Sequence, residues 1–135
     1  MPKDEFVRAE IVCPIRNTLK LLGKRWTILI VKEIYYSKGM KLGFMELKRG
    51  LEGVSTKMLS ERLKEMAGSK LINRHVDASH TPPRVNYTLT QKGKEVCKIL
   101  SSLREYGLKW GGSDTYDCSH IDCEICTQNR HEAMK

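Results

Sequence analysis

Apolar positions recur along this chain with two different periods, and the switch between them lays out the elements. Ile15, Leu19 and Leu22 fall at i, i+4 and i+7. That spacing predicts a first helix over about Ile15–Leu22, with Pro14 where a missing N–H costs little and Gly23 as its stop. Trp26, Leu29, Ile30, Val31 and Ile34 are apolar nearly all round a second helix, from about Arg25 to Tyr36, so that helix should be central and buried. A third helix, about Gly43–Leu51, sets Phe44, Leu47 and Leu51 on one face, and Glu52-Gly53 turns the chain. A fourth begins at Ser55, whose hydroxyl can accept a bond from the first turn, and runs to about Ala67. Leu59, Leu63 and Met66, with Met58 beside them, face inward, and Gly68 reads as the stop.

After Gly68 the period drops to two. Leu71–Val76 reads as one strand, and Arg84–Leu89 as a second, in which Val85, Tyr87 and Leu89 alternate with Asn86 and Thr88. Residues 77–83 connect them, because Pro82 and Pro83 have no N–H to give a ladder. A long last helix follows an N-cap at Thr90. Val96, Ile99, Leu100 and Leu103 form its stripe, continued by Tyr106 or Gly107 and Trp110, and Gly111-Gly112 ends it. The predicted fold is α+β and mostly helical: helix, helix, helix–turn–helix, two-stranded ribbon, helix. Residues 1–112 make one domain, and residues 113–135 a polar, acidic, cysteine-rich tail.

Charge changes the picture from fold to partner. The 135 residues carry a net charge of +8, which favours polyanions. The bases are concentrated from Lys38 to Lys94, where the only acids are Glu46, Glu52, Glu61, Glu65 and Asp77. The tail is acidic instead, with Asp114, Asp117, Asp122, Glu124 and Glu132 against Arg130 and Lys135. A membrane partner is not expected. The most apolar stretch, Trp26 to Ile34, is too short to span a bilayer and is interrupted by Lys32 and Glu33. Met1-Pro2-Lys3-Asp4-Glu5 is not followed by the apolar region of a signal peptide, so a cytoplasmic location is expected.

A helix–turn–helix followed by a ribbon, inside a basic centre, is the layout of a winged DNA reader. The second helix of the pair enters the major groove, where each base pair shows its own donor and acceptor pattern. Such a helix needs an apolar inner face and a polar outer one. Ser55, Thr56, Lys57, Ser60, Glu61 and Lys64 supply the outer face here, and Lys48 and Arg49 on the preceding helix join the candidate set. The ribbon supplies the wing, with Arg74, His75, His80 and Arg84 available for the DNA backbone or minor groove. The partner is then double-stranded DNA. No small-molecule substrate and no required cofactor is indicated. No G-x-S-x-G, P-loop, dinucleotide fingerprint or paired-carboxylate site supports an enzyme.

Several motifs occur in a telling order. They are Cys13-Pro14, the turn Gly23-Lys24-Arg25-Trp26, the helix Phe44-Met45-Glu46-Leu47-Lys48-Arg49, the segment Gly53 to Met66, Leu71-Ile72-Asn73-Arg74, and Pro83-Arg84-Val85-Asn86-Tyr87-Thr88-Leu89-Thr90. The series resembles the HxlR-type family, a winged-helix group related to MarR regulators, over about Cys13 to Trp110. The resemblance implies a homodimeric repressor or activator. Its N-terminal segment and last helix build the dimer, and two recognition helices read a palindrome. The last helix agrees, since the stripe of Val96, Ile99, Leu100, Leu103 and Trp110 is longer than one small winged domain needs to cover. One departure is Gly68-Ser69-Lys70, where most members carry an acidic pair and a glycine.

The five cysteines open a second question. Cys13 matches the position where several members of the family sense oxidants or electrophiles, a reaction that needs thiolate character and exposure. Cys118, Cys123 and Cys126 lie within nine residues of the tail, with His120 among them and His131 beyond. Cys123-x-x-Cys126 has the bite for one tetrahedral ion, which Cys118 with His120 or His131 could complete. Zinc is the first candidate, and a disulfide or thiol switch is the competing reading. The alternative function is thus a redox- or metal-responsive sensor in which Cys13 or the tail controls DNA binding. A thiol or metal-carrier protein rests on Cys123-x-x-Cys126 alone.

Overall fold

Helix α2 (Thr27–Tyr35) is the hub of the structure, a computed structural model that describes residues 12–112. Its Ile30, Val31 and Ile34 are fully buried, and it packs against the last helix and the sheet. Around it, among the described residues, lie α1 (Pro14–Leu22), β1 (Lys41–Gly43), α3 (Phe44–Gly50), α4 (Thr56–Gly68), β2 (Ile72–Asp77), β3 (Arg84–Leu89) and α5 (Gln91–Trp110). Leu47 of α3, Leu59, Leu63 and Met66 of α4, Leu71, Ile72 and Val96 complete one core with α2. No helix among the described residues is long and apolar enough to cross a membrane.

The helices and the two-stranded wing stand where the periodicity puts them, and four details differ. First, the sheet has three strands in the order β1-β3-β2, all antiparallel. The extra strand, Lys41-Leu42-Gly43, is three residues long, too short to show an alternation, and it pairs with residues 86–88 more than forty positions away. Its Leu42 is buried and joins the core. Second, α2 starts at Thr27 and not at Arg25, because Trp26 adopts a left-handed backbone, φ 80°. Third, Leu29 is 45% exposed, so α2 is not apolar-buried all round. Fourth, the stripe of α1 is not a core face: Leu22 is buried, whereas Ile15 and Leu19 are 72% and 55% exposed.

The end of α4 fixes how the reading helix joins the wing. The N–H of Lys70 bonds the Ala67 carbonyl and that of Leu71 bonds the Met66 carbonyl, the paired pattern of a Schellman stop. Buried Leu71 packs in the same core as buried Met66, as that motif favours. The left-handed residue is Lys70, φ 67°, and not the predicted Gly68, which remains inside the helix. This is the departure seen in the sequence: a lysine stands where glycine would be free of strain.

The first turn of α5 then clamps this stop. The Thr90 hydroxyl accepts from Gly93 N at 3.1 Å and donates toward the carbonyls of Lys70 and Leu71. The Lys92 ammonium donates to the Ser69 carbonyl at 2.7 Å. Gly93 is required here, because a Cβ at that position would overlap the Leu71 carbonyl oxygen. Recognition helix, wing and last helix therefore meet at one short, fully bonded junction.

Candidate nucleic-acid interface

The outer face of α4 is assembled as its sequence dictates. Leu59, Leu63 and Met66 are buried, which leaves Ser55, Thr56, Lys57, Ser60, Glu61 and Lys64 all exposed on the opposite side. The Ser55 hydroxyl accepts from Met58 N at 3.0 Å, so its oxygen is held as a cap while its O–H stays available to donate. Lys57 and Lys64 form no ion pair among the described residues, and both can neutralise phosphates.

Arg62 lies on the other side of the helix and does different work. Its side chain is only 12% exposed; it bonds Glu65 at 3.1 Å and reaches the Met58 sulfur at 3.2 Å. Glu65 also takes Lys24 from the α1–α2 turn at 2.7 Å. This trio pins the reading helix to the N-terminal part of the chain. Sequence reasoning missed it, because the partners are about forty residues apart and no periodicity links them.

The wing leaves the body at once. Ile72 is buried, but every β2 residue from Asn73 to Asp77 is exposed. The register sets Arg74 opposite Tyr87 and Asp77 opposite Arg84, so Arg74, His75, His80 and Arg84 are all exposed on one ribbon. The tip is stiffened locally. The Ser79 hydroxyl and backbone N–H both donate to Asp77, and His80 lies 3.4 Å from the same carboxylate. The Ser79 bonds, followed by the charges of His80 and Arg84, hold the Asp77 carboxyl below its ordinary value. His75 Nε2 shares a hydrogen bond with the Thr88 hydroxyl at 2.9 Å.

One groove joins the two halves of the proposed reader. Arg49 of α3 and Arg84 at the root of β3 line a cleft of about 500 Å³ together with Met45, Glu46 and Asn86. Sequence reasoning placed both arginines in the set but could not place them side by side; the unpredicted β1 does that by seating α3 against β3. Lys48 is half-buried on the same helix.

The residues expected at a dimer seam divide. Val96 is 5% exposed and belongs to the core, so it is not available to a partner, and Leu100 is half-buried against that core. Ile99, Leu103 and Trp110 are 40%, 50% and 67% exposed, and Tyr106 joins them at 69%. Val12, Ile15 and Leu19 extend the exposed apolar set onto α1. Cys13 is exposed, immediately before α1, and Cys97 is half-buried on α5, where burial pushes its thiol up. Cys118, His120, Cys123 and Cys126 lie outside the described residues.

A helix–turn–helix whose second helix shows a polar, cationic outer face, followed by an exposed basic ribbon, defines the class of winged DNA-binding transcription regulators. The HxlR-like helix-turn-helix family matches residues 21–115, and the chain belongs to that family. An HTH-type transcriptional regulator of Synechocystis is 35% identical over 113 residues, which are 84% of this chain and 81% of that protein. Among solved structures, a Porphyromonas gingivalis protein assigned to the MarR family of transcriptional regulators superposes with a TM-score of 0.67 at 34% identity, covering 73% of this chain and 92% of that one. The oxidised form of the redox regulator HypR superposes with a TM-score of 0.65 at 26% identity, covering 78% of this chain and 99% of that one.

Proposed function

We propose that this regulator binds a palindromic operator as a homodimer, with one α4 in each of two successive major grooves. The observation that carries the reading is the uniformly exposed polar face of α4, from Ser55 to Lys64, on a helix whose other face is sealed into the core. The exposed apolar residues of α5 and α1 support the second copy, since they leave an unpartnered surface on a single chain. A two-fold dimer would set half-sites about one DNA turn apart. Selection of bound duplexes from a random pool, followed by anisotropy at several salt concentrations, tests this. Enrichment of a two-fold symmetric sequence, bound by a protein of dimer mass in sedimentation, is the expected result. Weak binding that is equal on selected and scrambled duplexes, and lost with modest salt, would reduce the reading to a basic surface.

A second reading is that Cys13 makes the DNA binding redox-responsive. Two observations favour it: the thiol is exposed next to α1, and a structural neighbour of the chain is itself a redox regulator. Treatment with a thiol oxidant should change operator affinity for the native chain and leave Cys13→Ser unchanged. An equal response from both would remove Cys13 from the mechanism.

A further inference from the structure

The match to the family ends at residue 115, and the three tail cysteines all lie beyond it. Whatever they do is therefore separate from winged-helix DNA reading. We propose that Cys118, Cys123, Cys126 and one histidine, His120 or His131, bind a single zinc ion, a property that does not depend on the DNA-binding role.

The ligand set is chemically selective. Three thiolates and an imidazole are soft to borderline donors, which suit zinc and discriminate against magnesium and calcium. The loops between consecutive cysteines are four and two residues long, within the ordinary range for tetrahedral zinc. His131 follows Cys126 after four residues, and His120 is one residue removed from Cys118.

The described part of the chain supplies two further arguments. Helix α5 closes at Trp110, Gly111 caps it, and Gly112 turns out with φ +83°, so the helix stops before the first cysteine is reached. That matters, because positions i, i+5 and i+8 on a continuous helix would splay over roughly 140° and could not close on one ion. The other thiols cannot substitute. Cys13 and Cys97 sit on different helix segments, and no group of three or more His, Cys, Asp or Glu residues able to hold a metal occurs among the described residues.

Binding is written as three thiols and one neutral imidazole taking up Zn²⁺, with three protons released and no electron transferred. The resulting centre carries one negative charge. The full-length chain, reduced and metal-free, is titrated with cobalt(II) and then with zinc. The expected result is one equivalent per chain, with the strong visible bands and thiolate charge-transfer absorption of tetrahedral cobalt, bleached by zinc. Cys123→Ser should weaken binding by at least about 100-fold, while Cys13→Ser and Cys97→Ser leave it unchanged. The His120→Asn/His131→Asn double variant should lose the tetrahedral spectrum, and the single variants identify the ligand. The proposal is overturned by a weak octahedral spectrum, by affinity indifferent to Cys123 or to both histidines, or by a Cys123–Cys126 disulfide that persists in reductant and refuses metal. Far-ultraviolet circular dichroism, dominated by the five described helices, confirms that each variant is folded.

Discussion

Helices α4 and α5 begin alike and present opposite surfaces. Each is capped by a hydroxyl residue, Ser55 or Thr90, and each buries an apolar stripe in the same core. The outer face of α4 is then hydroxyls, lysines and a glutamate, all exposed. The outer face of α5 exposes Ile99, Leu103, Tyr106 and Trp110. A polar outer face is content in water and needs a polyanion only to act. An apolar outer face keeps gaining by burial, at about 25 cal/mol per Å² of apolar surface covered. The two helices thus assign two partners by surface chemistry alone: DNA to α4 and another apolar face to α5.

The sharpest way to break this contrast is to make α5 resemble α4. Replacing Ile99 and Leu103 together by Glu should yield a monomer in sedimentation and lower operator affinity by about 100-fold or more, because two half-sites are no longer read by one linked particle. An unchanged mass and affinity would show that the exposed stripe of α5 is not the seam.

The caps come next. Thr90→Ala removes an acceptor for Gly93 N and a donor to the Lys70 and Leu71 carbonyls, so it should cost about 2 kcal/mol in urea unfolding. Ser55→Ala removes one exposed cap bond and should cost about 1 kcal/mol. Equal costs would mean that the clamp adds nothing to a simple cap.

On the reading face, Lys57→Ala should weaken binding roughly fivefold on every duplex and lower the salt slope by about one. Thr56→Ala should instead relax the sequence preference, read as a narrowed gap between operator and scrambled duplex. If Lys57→Ala were neutral on both duplexes, α4 would not be touching phosphate there. The smallest effect is expected at the junction: Lys70→Gly relieves a left-handed lysine and should raise stability by about 0.5 kcal/mol, measured as a shift in the urea midpoint.

What the sequence disclosed and what it hid follow from range. Each helix and both wing strands were legible because hydrophobic period and caps are local; Ser55 and Thr90 are the caps that their positions suggest. The exposed face of α4 was legible for the same reason. The third strand was not, since three residues carry no period and its partner is distant. Nor was the Lys24–Glu65–Arg62 trio, or the pairing of Arg49 with Arg84 across one groove, as these depend on which elements meet. Val96 shows the limit within a single helix. It shares a stripe with Ile99 and Leu103, but only packing reveals that the stripe is wide enough for one edge to be core and the other to be seam.

The bonded junction at Ser69–Leu71 also has a mechanical reading. With Thr90, Lys92 and Gly93 fastened to the end of α4, the twenty residues of α5 form an arm about 30 Å long whose root is the exit of the reading helix. A tilt of about 5° at the root sweeps the far end, near Trp110, through roughly 2.6 Å. The arm works in reverse as well. A displacement of that size where two copies meet is delivered to the reading helices as a rotation, and the spacing between half-sites becomes a gauge of how the arms are crossed.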